Sequence, residues 1–123
     1  MNKKILIVDD DKDVLETLGA RLSGSGYNVI KAQSGREAVT VAKKERPDLI
    51  ILDIVMPGMD GGEAADILKK DPDTADIPVV FLTCLVTKDE EEKTGRFKGG
   101  KYFVAKPYES QDILDVIRKR IKD

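Results

Sequence analysis

Five short runs of aliphatic or aromatic residues, at 5–8, 27–31, 49–52, 79–82 and 102–105, constrain this chain more than any other feature. Those at 5–8, 49–52 and 79–82 contain no polar residue at all. Alternation of apolar and polar residues marks a strand with one wet face, so unbroken runs of this length predict strands covered on both faces, as in a parallel sheet. The segments between them have helical periodicity. Val14, Leu15, Leu18 and Leu22 fall on one stripe of a helix starting near Asp11 or Asp13, and Ile113, Leu114, Ile117 and Ile121 do the same near the end of the chain. Cap residues open these segments: Ser34 with Glu37, Asp60 with Glu63, and Thr87 with Glu90 pair an oxygen-bearing side chain with a glutamate three residues on, and Ser110 is placed to cap the last helix. The pattern is β-α repeated five times. It predicts an α/β fold with a five-stranded parallel sheet, doubly wound into a three-layer sandwich. No linker, repeat or low-complexity stretch divides the 123 residues, so residues 1–123 read as one domain.

Composition removes whole classes of function. The chain has no histidine, which excludes histidine-based serine and cysteine triads, most zinc sites and phosphohistidine carriers. Its one cysteine, Cys84, has no partner for an internal disulfide and reads as a small apolar residue. With 21 basic and 23 acidic residues, net charge −2, and no basic block, direct nucleic-acid binding is not expected. The apolar run after Lys4 stops at Asp9, too short for a signal-peptide core, and no run approaches the ~20 residues of a membrane span. A cytoplasmic location without membrane contact is the expectation.

In doubly wound sheets the ligand site lies outside the carboxyl ends of the strands. At those ends stand Asp9 and Asp10, Asp53, Thr83 and Lys106, while the second strand ends without a comparable group. Singly, each has a plain structural reading, as helix cap, turn starter or surface charge. Together they meet at one edge. Carboxylates ~4 Å apart at an effective dielectric of ~20 repel by about 4 kcal/mol per pair. Lys106 offsets part of this, and a hard divalent cation on oxygen ligands, Mg2+ where one or two carboxylates bind directly, would offset the rest. Between a lysine and a cation a carboxylate can attack a phosphoryl group, because charge developing on the phosphoryl oxygens is neutralised from two sides. The Thr83 hydroxyl is placed to donate to a further oxygen. The set describes phosphate acceptance on aspartate.

These residues resemble the receiver domain of two-component response regulators, a flavodoxin-like phosphoacceptor domain. The carrying motifs are Ile5-Leu6-Ile7-Val8-Asp9-Asp10-Asp11, Asp48-Leu49-Ile50-Ile51-Leu52-Asp53 followed by Met56-Pro57-Gly58-Met59-Asp60-Gly61, Thr83, and Lys106-Pro107, and the likeness spans the whole chain. The resemblance implies that Asp53 is phosphorylated, that Asp10, Asp53 and the Val55 carbonyl bind Mg2+, that Asp9 orients the metal through water, that Lys106 pairs with the phosphoryl group, and that the bond before Pro107 is cis. It further implies a sensor histidine kinase or histidine phosphotransfer protein as donor, and an output partner or homodimer on a surface formed by the fourth helix, fifth strand and last helix. Val55 and Leu85 flank the path of hydrolytic water in such domains, and neither hydrogen-bonds water. Phe103 stands where the family most often has tyrosine, and Cys84 where alanine is usual. The segment 88–100 combines dense charge with Gly95, Gly99 and Gly100, which predicts a short or mobile fourth helix.

Two other functions share parts of this pattern. Asp9-x-Asp11 after an apolar strand resembles the opening of haloacid-dehalogenase-type phosphatases, although no threonine or valine stands two places after Asp11 and no acidic pair follows Lys106. A non-phosphorylated interaction module of receiver shape would not need the acidic set. Flavin binding would need a phosphate-cradling loop where this chain has three aspartates.

Overall fold

The computed structural model describes residues 2–83, 97–98, 101–106 and 108–121. Its strands are β1 (Lys4–Val8), β2 (Asn28–Ala32), β3 (Leu49–Asp53), β4 (Val79–Thr83), β5 (Phe97–Lys98) and β6 (Lys101–Ala105); its helices are α1 (Lys12–Gly24), α2 (Gly35–Glu45), α3 (Gly61–Lys70) and α4 (Ser110–Arg120). They form one sheet in the order β2-β1-β3-β4-β6-β5. The five long strands are parallel, as their apolar runs predict, and the fold is the expected flavodoxin-like α/β arrangement.

Burial explains the unbroken runs. Along β1 and β3, Ile5, Ile7, Leu49 and Ile51 join Leu15, Leu18 and Leu22 of α1 and Ile113, Leu114 and Ile117 of α4 in one core. The alternate residues Leu6, Val8, Ile50 and Leu52 join Ala38 and Ala42 of α2 and Ala64, Ala65 and Leu68 of α3 in a second core on the opposite face. Every side chain of β3 is buried, so neither face tolerates a polar residue until Asp53 ends the strand.

The caps hold where they are described. Asp11 accepts from the Asp13 N–H at 2.9 Å, Ser34 from Glu37 at 3.1 Å and Asp60 from Glu63 at 2.9 Å. At α4 the cap is Glu109 and not Ser110, which becomes the first helical residue. The reason is local: the Asp112 carboxylate accepts from the Glu109 N–H at 3.0 Å, closing a reciprocal pairing one residue earlier. A second difference lies in β5, which pairs antiparallel with β6 and places Phe97 opposite Tyr102 and Lys98 opposite Lys101. It occupies part of the segment read as a fourth helix. Two glycines, Gly99 and Gly100, separate the paired positions, a hairpin signal in the sequence that the dense charge around it obscured. The Thr87 cap, the fourth helix itself, Cys84, Leu85 and the bond before Pro107 lie outside the described residues. Among the described residues no helix is long and apolar enough to cross a membrane.

Candidate functional site

Parallel register gathers the predicted residues. Val8 is paired with Leu52, Asp53 with Leu82 and Thr83 with Ala105, so the carboxyl ends of β1, β3, β4 and β6 finish nearly level. The ladder continues one bond past each strand. Asp9 N–H donates to the Ala32 carbonyl at 3.2 Å, Ile54 N–H to Leu82 at 3.2 Å and Lys106 N–H to Thr83 at 2.9 Å. Those bonds set the backbone from which Asp9, Asp53 and Lys106 project.

The Lys106 ammonium stands 3.1 Å from Asp53 Oδ1 and 3.6 Å from Asp9 Oδ2. Asp9 is 1% exposed and Asp53 4%, whereas Asp10 lies at the surface. One oxygen from each of Asp9, Asp10 and Asp53 lies within 4.8 Å of the others. Two carboxylates therefore face one ammonium, and a third, from Asp10, stands beside them. Asp9 Oδ1 accepts from the Asp11 N–H at 2.9 Å, but Oδ2 is buried with no hydrogen-bond partner. Burial pushes the Asp9 carboxyl above its ordinary value, with Asp53 and Asp10 adding to the rise against the Asp11 N–H and Lys106. Burial works to lower the Lys106 ammonium, yet its hydrogen bond to Asp53 and the charges of Asp9 and Asp53 outweigh that and hold it above the usual lysine value. A buried carboxylate oxygen with no hydrogen bond, held only by the longer ion pair to Lys106 and set beside two further carboxylates, is a donor set that fits a hard divalent cation.

The loop after β3 completes the rim. Met56 is buried in the second core, Gly58 turns the chain at φ 74°, and the Gly61 N–H returns to the Ile54 carbonyl at 2.8 Å. Val55 between them is 61% exposed. Thr83 is buried, and Phe103, on the same face of the sheet as the second core, stacks on Phe81 with ring centroids 5.5 Å apart. Asp11 serves as the α1 cap, its Oδ1 accepting from the Asp13 and Val14 N–H groups.

One residue near the site escaped the sequence reading. Tyr108, half-buried against the first core, lines a groove of about 330 Å3 with Asp13, Val14, Thr17 and Leu18, and burial together with Asp9 and Asp53 pushes its hydroxyl up to about 12. An aromatic two residues past Lys106, beyond the strand, was the available signal.

A flavodoxin-like sheet bearing at its carboxyl edge three clustered carboxylates, a paired lysine and a buried threonine defines a phosphoacceptor class of α/β domain. The family model described as "Response regulator receiver domain" matches residues 5–118, and the chain belongs to that family. Protein PilH of Pseudomonas aeruginosa is 39% identical over 116 residues, 93% of each chain. The alkaline phosphatase synthesis transcriptional regulatory protein PhoP of Bacillus subtilis is 38% identical over 115 residues, 92% of this chain but 46% of its own length. The solved chemotaxis protein CheY4 of Vibrio cholerae superposes with TM-score 0.84 at 27% identity, covering 98% of this chain and 100% of its own. The chain thus functions as a phosphoacceptor signalling module of the response-regulator type. The phosphatase and non-phosphorylated readings are not favoured.

Proposed function

We propose that Asp53 accepts a phosphoryl group from a phosphohistidine of a sensor histidine kinase or histidine phosphotransfer protein, or from a small acyl phosphate. The observation that carries this reading is the Lys106 to Asp53 contact of 3.1 Å beside the buried Oδ2 of Asp9, which has no hydrogen bond. Receiver domains bind Mg2+ in their acidic pocket. Here Asp10, Asp53 and the Val55 carbonyl would hold the ion, with Asp9 orienting it through water. Bound there, Mg2+ would supply positive charge that adds to that of Lys106.

The transfer balances simply. A carboxylate oxygen of Asp53 attacks phosphorus, the bond from phosphorus to the donor nitrogen breaks, and its electron pair returns to the imidazole. Lys106 neutralises charge developing on the phosphoryl oxygens, and Thr83 donates its hydroxyl to another. The aspartyl phosphate is later lost to water, so the domain is a phosphoryl acceptor with slow self-dephosphorylation and not a turnover enzyme. A donor charged from ATP implies a cytoplasmic setting. The output surface comprises the segment after β4, strand β6 and helix α4, where an effector or a second copy docks; this domain itself does not contact nucleic acid. The reading takes residues 1–123 as one receiver unit.

Acid-stable, base-labile labelling from a radiolabelled phosphohistidine donor tests it. The label is expected on wild type with Mg2+ and absent from Asp53→Asn and from chelator-treated protein. Undiminished labelling of Asp53→Asn would overturn the assignment.

A further inference from the structure

The carbonyl of Val55 can ligate a cation only if the loop 54–60 holds it still, and Val55 itself, 61% exposed, gives little anchorage. The loop is tied from elsewhere. At one end the Gly61 N–H binds the Ile54 carbonyl at 2.8 Å, and Met56 is buried in the core. Its other seat lies on a different element, at the first residue of α2. A Cβ added to Gly35 would run into the Met59 carbonyl oxygen and come within 3.0 Å of Met59 Cγ and 3.1 Å of the Met59 carbonyl carbon. Gly35 is buried in this contact.

Backbone freedom does not explain a glycine there. Among the described glycines only Gly26 and Gly58 have positive φ, so Gly35 adopts a conformation open to any residue. At the opening of a helix alanine would be intrinsically preferred. What alanine cannot do is let the main chain of the 54–60 loop approach α2 this closely. We propose that Gly35 is a positioning residue for the cation: by admitting Met59 against the start of α2, it fixes the loop that presents the Val55 carbonyl. This rests on the Mg2+ reading of the acidic pocket. Mg2+ demands near-octahedral geometry at about 2.0–2.1 Å, so a displaced ligand loop costs affinity where a looser cation would adapt. Residues supporting metal ligands typically alter affinity by 10–100-fold when changed.

Isothermal titration with MgCl2 alone, paired with phosphorylation rates at rising Mg2+, tests the assignment. Gly35→Ala is expected to weaken Mg2+ binding roughly 10-fold while the rate at saturating Mg2+ stays near wild type. Gly24→Ala, whose added Cβ meets nothing within 4 Å, should leave both unchanged. Wild-type affinity in Gly35→Ala, or a lowered saturating rate at unchanged affinity, would overturn the proposal. Should Gly35→Ala not fold, amide spectra of wild type decide: the Gly35 and Arg36 signals must shift with those of 54–60 as Mg2+ is added, and their standing still while 54–60 moves is equally fatal. A wild type that binds no Mg2+ overturns the pocket reading itself, a result distinct from any outcome at Gly35.

Discussion

Lys106 Nζ lies 3.1 Å from Asp53 Oδ1, and the lysine side chain is 30% exposed against 6% for the aspartate. The pair is mostly buried, with only the lysine partly open to water. Breaking a buried pair by removing one partner costs about 3–5 kcal/mol, and an exposed pair is worth about 0–1 kcal/mol, so this one falls between. Lys106→Met should destabilise the metal-free protein by about 1–2 kcal/mol in urea denaturation. Much of that loss should be recovered with Mg2+, which would answer the same carboxylates. A variant as stable as wild type without Mg2+ would show that Lys106 does not offset the cluster.

Asp9 gives stability a pH dependence of definite sign. Its folded carboxyl titrates above the unfolded one, so the folded state holds the proton more tightly. Between the unfolded and folded values the native state binds more protons, and stability falls as pH rises through that window. The favourable contribution is complete below the unfolded carboxylate value of about 3.9 and is lost as pH climbs past the raised folded value. Asp9→Asn should therefore stabilise the metal-free protein more at pH 7 than at pH 4.5, as read by urea midpoints at both. Equal shifts at the two pH values would contradict the burial argument.

The sheet, and the meeting of the candidate site residues at one of its edges, were largely legible in the sequence, and the reason is geometric. Short, β-branched runs such as residues 49–52 favour a strand buried on both faces, and level parallel strands bring Asp9, Asp53, Thr83 and Lys106 to one edge. What stayed hidden depended on pairing across space. The lack of a hydrogen bond to Asp9 Oδ2 and the stack of Phe103 on Phe81 arise from side-chain packing that spacing alone does not encode. The α4 cap differed because Glu109 with Asp112 and Ser110 are competing caps one residue apart, and β5 because two residues are too few for a periodicity.

Val55 bears on the lifetime of the phosphorylated state. Hydrolysis needs a water held in line with phosphorus, and an exposed valine beside the acidic cluster cannot hydrogen-bond one. Val55→Asn should shorten the half-life of the aspartyl phosphate by about 3- to 10-fold, which is about 1 kcal/mol of barrier. Combining it with Leu85→Glu should shorten it further. Phosphate release from purified, prelabelled protein provides the measurement, and an unchanged or longer half-life in both variants would count against the crowding argument.

The stack of Phe103 on Phe81 turns the switch into a packing question. Phe81 and Phe103 are register partners on β4 and β6, two residues before Thr83 and Ala105, so the aromatic pair lies on the same strands as the Thr83 hydroxyl. The proposed phosphorylation would add about 1.5 to 2 negative charges and three acceptor oxygens at Asp53, and a hydroxyl drawn toward them would open space behind Thr83. Phe103 has no hydroxyl to hold it at the surface, so its resting position is set by the stack. Aromatic pairs are worth about 0.5–1.5 kcal/mol beyond buried area, which converts to a bias of roughly 2- to 10-fold between two rotamers. Phe81→Leu should release that bias. Its amide spectrum without phosphoryl mimic should then move part of the way toward that of wild type with beryllium fluoride, at residues 101–106 and through α4. Thr83→Ala should abolish the distal shifts while those around Asp53 persist. Beryllium fluoride shifts confined to the Asp53 pocket in wild type, with α4 unmoved, would refute the coupling.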